Sequence, residues 1–316
     1  MKSLTGELNT ENHTSLRLTL KVKDYLQLTK FTLSFTVVFS CVICYLLVPG
    51  IVYDWTRIIL LFVAGMLVTG SANTINQAAE RETDALMKRT AARPVASGRM
   101  SANEAYGFAF ITGFAGVWMM YVFFNAESAL LSLISLLLYA FVYTPLKKVN
   151  SLAVLVGAFP GALPCLIGWV AGTGIINPFA TLDVLGQQYT NMGGWALFAL
   201  QFLWQFPHFW AIAWVAHTDY SKAGFKLLPS DKGPTRFTAL QAIIYAVLMV
   251  PVGMLPYELG ISGQVSLFVV LVCNLFIVFQ CVRLYIEMDV KAARRVMFSS
   301  YIYLPIVLLA LLADKM

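Results

Sequence analysis

The chain has 316 residues, 59% of them hydrophobic and only 12% charged, with a formal net charge of +6. A soluble domain carries about 25% charged residues. That contrast excludes an ordinary water-soluble globule and predicts a polytopic membrane protein embedded in a lipid bilayer, with no nucleic-acid partner.

Residues 1–30 are polar and read as a cytoplasmic N-terminal segment. No cleavable leader is evident, and Glu7, Glu11 and Asp24 among the basic residues argue against a mitochondrial presequence. From residue 31 onward, apolar runs of about 20 residues each predict nine spans, at 31–49, 57–79, 102–124, 127–146, 151–172, 193–216, 237–256, 262–284 and 297–313. The links after spans two, six and eight are long and charged. The 173–192 link is long, polar and nearly uncharged, with Asn177-Pro178 and Gly193-Gly194 as turn signals. Twenty of the 22 lysines and arginines fall in the N-terminal segment and in links 2–3, 4–5, 6–7 and 8–9; only Arg57 and Lys315 fall on the other side. The positive-inside rule then places the N-terminus in the cytoplasm and the C-terminus outside. The five cysteines all lie in apolar runs and read as small buried residues, including the Cys41-x-x-Cys44 pair.

Span two turns polar at its end. Asn76, Glu80 and Asp84 recur at intervals of four, so they share one helix side over about 12 Å. As a plain helix end this is unfavourable. Like charges four apart repel by about 0.2–0.5 kcal/mol, and acids at a helix C-terminus oppose its dipole. Ionisable groups at membrane depth are functional candidates by default. Hard oxygens followed by Lys88, Arg89, Arg93 and Arg99 fit a magnesium-bound polyphosphate.

Span four ends in Tyr143, Lys147 and Lys148. These read most simply as an aromatic-belt anchor with snorkelling lysines, although Lys147 is also a candidate diphosphate contact. Span five contains Gly157 and Gly161, a small-xxx-small pair, and Pro160 and Pro164, which predict a kink. Span six carries His208 beside Pro207, well inside the apolar run, and ends near Asp219 and Tyr220. His208 is either a hydrogen-bonded interior residue or a proton acceptor or ligand for a planar cofactor. Asp219 is either a solvated helix-end charge or a second acid at the mouth that faces Asp84.

The stretch from Asn76 to Arg99 resembles the first acidic motif of the UbiA-type intramembrane prenyltransferases. Met87–Arg99, Trp204-Gln-Phe-Pro-His-Phe-Trp210 and Asp219-Tyr-x-x-Ala-Gly with Leu228-Pro229 resemble the branch of that family that farnesylates heme. The resemblance covers residues 24 to 312. It implies an all-α bundle of nine transmembrane helices around a central cavity, spanning 31–316. It also implies farnesyl diphosphate and heme B as substrates, Mg²⁺ as the ion, and heme O as the product for terminal oxidases, in a bacterial inner membrane. A heme A synthase is an implied partner. Residue by residue, Asn76, Glu80 and Asp84 match the first magnesium motif, with Glu80 where many members have Asp. Lys88, Arg89, Arg93 and Arg99 match the basic positions that follow. Asp219 matches the second motif, whose paired acid is Val215 here, and His208 would orient the heme or handle a proton. A prenyltransferase for an aromatic acid or quinone precursor, a transporter using the acids as an ion path, and a heme-binding chaperone are the competing readings.

Overall fold

The computed structural model describes residues 19–230 and 232–316. Most of the expected N-terminal segment, including Lys2, Glu7, Glu11 and Arg17, lies outside them. The described part begins with α1 (Thr19–Leu28), which meets α2 (Phe31–Leu46) at a bend of 50°. Then follow α3 (Trp55–Ala79), the short α4 (Arg81–Leu86), α5 (Ala102–Phe123) and α6 (Ala126–Leu146). After α7 (Leu152–Thr173) comes a hairpin of β1 (Thr181–Val184) and β2 (Gln187–Thr190), then α8 (Met192–Val215) and the short α9 (His217–Lys222). The chain closes with α10 (Arg236–Glu258), α11 (Gln264–Glu287) and α12 (Val290–Ala313).

Among the described residues nine helices have 16 residues or more, in the expected order. Seven are long and apolar enough to cross a bilayer, and α1 with α2 makes an eighth as a bent pair. The ninth, α8, has 24 residues, and Gln201, Gln205 and His208 lower its hydropathy. It can afford them because it is buried by protein rather than lipid: all three side chains are enclosed.

Helix starts follow from short polar caps. Asp54, Ser101, Asn125 and Asp289 each accept a backbone N–H from the first turn of the helix that follows, a contact worth about 1 kcal/mol each. The Asp289 cap corrects one expectation. The charged link after span eight is not a link: α11 runs on to Glu287, α12 begins at Val290, and the chain turns through Met288 at φ 52°. Lys291, Arg294 and Arg295 are therefore helical, and Arg283 and Arg295 both pair with Glu287.

The centre of the bundle is α7 against α2 and α8. Closest approach comes at Gly168, where an added Cβ would lie 1.9 Å from the Cys41 carbonyl oxygen. The expected pair, Gly157 and Gly161, instead leaves room for side chains, the Tyr143 ring and the Gln205 amide. Gly193 and Gly194 are not a turn. They lie in the first turns of α8, and both face the Trp169 ring. The turn is at Leu185-Gly186, both with positive φ, and Asn191 ties the hairpin down by accepting from Trp169 and donating to the Ile175 and Asn177 carbonyls. Four cysteines are buried and free; the fifth, Cys273, is half-buried.

Candidate active site

The stripe begins where α3 ends. Glu80 leaves the helical region at φ −97°, ψ 11° and separates α3 from α4. The hydrogen bonds carry on across the break, Glu80 N–H to Asn76 O (3.0 Å) and Asp84 N–H to Glu80 O (2.7 Å). The four-residue register therefore survives, while Glu82 and Asp84 enter the first turn of a new helix. This corrects the reading of Asp84 as an acid at a helix C-terminus, because its local backbone dipole is favourable rather than opposed.

Asn76, Glu80 and Asp84 are all buried, and each meets a cation from a different part of the chain. Lys30, at the α1–α2 bend, donates to Asn76 Oδ1 (3.1 Å). Lys147, at the end of α6, pairs with Glu80 Oε1 (2.6 Å), and Arg93 donates to Asp84 Oδ2 (2.6 Å). The charges of Arg93, Lys147, Glu80 and Asp84 all act on Lys30, so the five form one cluster. Two charges about 4 Å apart are worth about 4 kcal/mol in a partly shielded site and about 1 kcal/mol in water.

Lys147 is therefore not a snorkelling lysine. It is 7% exposed, lies over the rings of Tyr143 (4.8 Å) and Phe225 (5.5 Å), and has its pKa lowered by burial, with Glu80 opposing. Lys148 is the exposed one of the pair. What turns Lys147 inward is a π-helical segment, Leu138–Tyr143, within α6. Such a segment adds a residue to the turn and marks functional helices. It places Tyr139 and Tyr143 side by side (5.2 Å) and Thr144 next to Asn76, whose amide donates to Thr144 Oγ1 (3.3 Å).

The segment that follows α8 packs beside the stripe and the loop after it. Arg89 donates to Tyr220 Oη (3.3 Å) and lies over its ring. The Lys226 N–H donates to the Lys147 carbonyl (2.8 Å), and Met87, Ala223 and Phe225 pack together. Burial raises the Tyr220 pKa, keeping its hydroxyl protonated. Asp219 is half-buried one residue away, with no ion pair or side-chain hydrogen bond among the described residues. Lys88 is exposed. Arg99 is drawn elsewhere: its guanidinium donates to Asp24 (3.0 Å) and Gln27 (3.0 Å) on α1. Lys30, Tyr139, Thr144 and Phe225 join the site without any motif to announce them. Only the four-residue spacing of Tyr143 and Lys147 could have pointed to a shared helix side.

The donor set fits a hard divalent cation. Asp84 Oδ1 is buried with no hydrogen-bond partner, and Glu80 Oε1 touches the Lys147 ammonium without hydrogen-bond geometry. Among the described residues no three acidic, thiol or imidazole groups converge. Two carboxylates and an amide suit an ion that keeps waters and substrate oxygens for its remaining positions. His208 lies apart from this cluster, inside α8, seven residues or about 10 Å of helix from Val215, with Nδ1 2.8 Å from Ser300 Oγ.

Residues 37–302 match the profile of the UbiA prenyltransferase family. The chain is 45% identical to the protoheme IX farnesyltransferase of Cytophaga hutchinsonii, covering 92% of this chain and 97% of the relative. It is 40% identical to that of Flavobacterium johnsoniae, covering 94% and 97%. Its fold is similar to that of digeranylgeranylglyceryl phosphate synthase, with a TM-score of 0.74 at 24% identity over 93% of this chain and 98% of the other. It is also similar to a UbiA homolog from Archaeoglobus fulgidus bound to GPP and Mg²⁺, with a TM-score of 0.59 at 15% identity over 91% and 99%. With the profile covering most of its length and relatives this similar end to end, the chain is a multi-span membrane protein that belongs to the UbiA prenyltransferase family.

Proposed function

We propose that this protein transfers the farnesyl group of farnesyl diphosphate to a vinyl group of heme B and adds water to give heme O. The names of its full-length relatives support the substrates, and the bound GPP and Mg²⁺ of the Archaeoglobus fulgidus homolog support a prenyl diphosphate with a divalent ion. The observation that carries the reading is the buried stripe of Asn76, Glu80 and Asp84, with an unpartnered carboxylate oxygen and cations on every member.

Asn76, Glu80 and Asp84 would hold Mg²⁺, with Asp219 completing the set from the other side of the mouth. The ion supplies Lewis-acid stabilisation of charge on a leaving diphosphate. Every other part of the work falls to side chains. Lys147 and Arg93 now neutralise the carboxylates, and Lys30 holds the amide. Once the carboxylates are otherwise engaged, all three are free to neutralise phosphate oxygens, with Arg89 and Lys88 at the entrance. The bond from C1 to the diphosphate oxygen breaks with its electron pair leaving on oxygen. The vinyl π electrons form the new carbon–carbon bond, and water adds to the resulting cation and loses a proton. Apolar helices shield the allylic cation from premature water. The charged mouth faces the cytoplasm and the hairpin faces outward, in a bacterial cell membrane.

Purified protein supplied with farnesyl diphosphate, heme B and Mg²⁺ is expected to yield heme O by mass analysis. Asp84→Ala is expected to lower turnover by at least 100-fold, the scale of losing one preorganised electrostatic contact. Unchanged turnover in that variant would falsify the metal role.

A further inference from the structure

His208 is held in one tautomer. Ser300 Oγ donates its only proton to the Met297 carbonyl (2.7 Å). The 2.8 Å contact between Ser300 Oγ and His208 Nδ1 must then be an Nδ1–H donating to the hydroxyl oxygen. That leaves Nε2 with a free lone pair. No hydrogen bond reaches Nε2 among the described residues, and it is not among the sealed, unpartnered polar atoms of the interior. With His208 only 8% exposed, Nε2 is buried but not sealed off.

The ring cannot turn away from this pose. Trp204 stacks on one face at 4.5 Å and 19° and donates its indole N–H to the Ser300 carbonyl (3.0 Å). Ser300 thus fixes the imidazole through its side chain and the indole behind it through its backbone. The Phe209 and Tyr301 rings stand edge-on at 5.4 and 5.1 Å. An interior histidine kept only for packing would satisfy both nitrogens, because an unmet polar atom costs about 1–3 kcal/mol. Here one nitrogen is invested in orientation, and the other is left bare among rings. That is the arrangement of a metal-ligating histidine, whose remote N–H is fixed by a second hydrogen bond.

The charge of Arg89 acts on Tyr301, and Tyr301 acts on Tyr220, which itself accepts from Arg89. Tyr301, edge-on to His208, thus connects the imidazole with the Arg89–Tyr220 pair.

We propose that His208 Nε2 is an axial ligand to the iron of the tetrapyrrole acceptor, with Ser300 and Trp204 as its positioning residues. This deepens the proposed function and rests on its reading of the acceptor as heme. The test is ferric heme added to the full-length protein in lipid nanodiscs with no prenyl diphosphate, read by visible absorption and electron paramagnetic resonance. The wild type is expected to give a nitrogen-ligated spectrum. His208→Gly is expected to lose it, to bind heme at least tenfold more weakly, and to regain the spectrum with added imidazole. Ser300→Ala is expected to keep the ligation but weaken it about tenfold, the lower end for losing such a support. Metal-free protoporphyrin is expected to bind the wild type and His208→Gly equally. Where His208→Gly does not fold, as judged by thermal stabilisation with farnesyl diphosphate, His208→Met takes its place and is expected to show a sulfur-ligated or high-spin spectrum.

Identical heme spectra for the wild type and either His208 variant overturn the proposal, as does a His208→Gly defect equally large for metal-free protoporphyrin. Farnesyl transfer by the wild type alongside spectra indifferent to His208 removes the ligand and leaves the reaction standing. A His208-dependent spectrum in a protein that makes no heme O does the reverse.

Discussion

Lys147 and Lys148 show how two adjacent, chemically identical side chains part company. One is buried on Glu80 and the other is exposed to solvent. Removing one partner of a buried ion pair costs about 3–5 kcal/mol, because the other charge is left uncompensated, whereas an exposed site tolerates change within about 0.5 kcal/mol. Lys147→Met is therefore expected to lower the midpoint of thermal unfolding in nanodiscs markedly, and Lys148→Met to leave it in place. The spacing of Asn76, Glu80 and Asp84 was legible because one helix carries all three. The inward turn of Lys147 was not, because a lysine after aromatics at a helix end reads as an anchor until its partner on another helix is known. Lys30 and Thr144 were invisible for the same reason: their contacts to Asn76 join separate helices.

At the scale of elements, apolar length located the nine long helices to within a few residues, except where a cap overruled it. The start of α12 was missed because Val290–Val296 is too basic to read as a span, although Asp289 is a plain N-cap. Helix contacts were harder. Glycine spacing pointed to Gly157 and Gly161, while the backbone-to-backbone approach is at Gly168, set by how α2 crosses α7. In lipid such packing replaces the hydrophobic effect as the force between helices. Gly168→Ala is expected to destabilise by about 1–3 kcal/mol or more, the cost of overpacking a filled core. Gly107→Ala on α5, with nothing within 4 Å of the added carbon, is expected to be neutral or slightly stabilising. Unfolding of the two variants in detergent, compared side by side, decides it.

For the whole molecule, the distribution of charge predicts an orientation that can be measured. The tip of the hairpin, Leu185, is fully exposed at the end opposite the exposed Lys88. In intact cells, Leu185→Cys is expected to react with a membrane-impermeant maleimide, and Lys88→Cys only after lysis. The native cysteines give little background, since four are buried and the fifth lies within α11. The inverse pattern would turn the bundle over and put the candidate site on the outer surface.

The pairing of Lys147 with Glu80 and of Arg93 with Asp84, with Lys30 on the amide one turn before Glu80, has an electrical consequence. Before anything arrives, the pocket is balanced or slightly positive. It therefore attracts a multivalent anion and offers a naked divalent cation nothing to neutralise. Calorimetry should register inorganic pyrophosphate binding even in chelator, with affinity falling as potassium chloride is raised, since screening weakens such attraction. Mg²⁺ supplied by itself should give almost no heat, entering this enzyme as a passenger on its substrate.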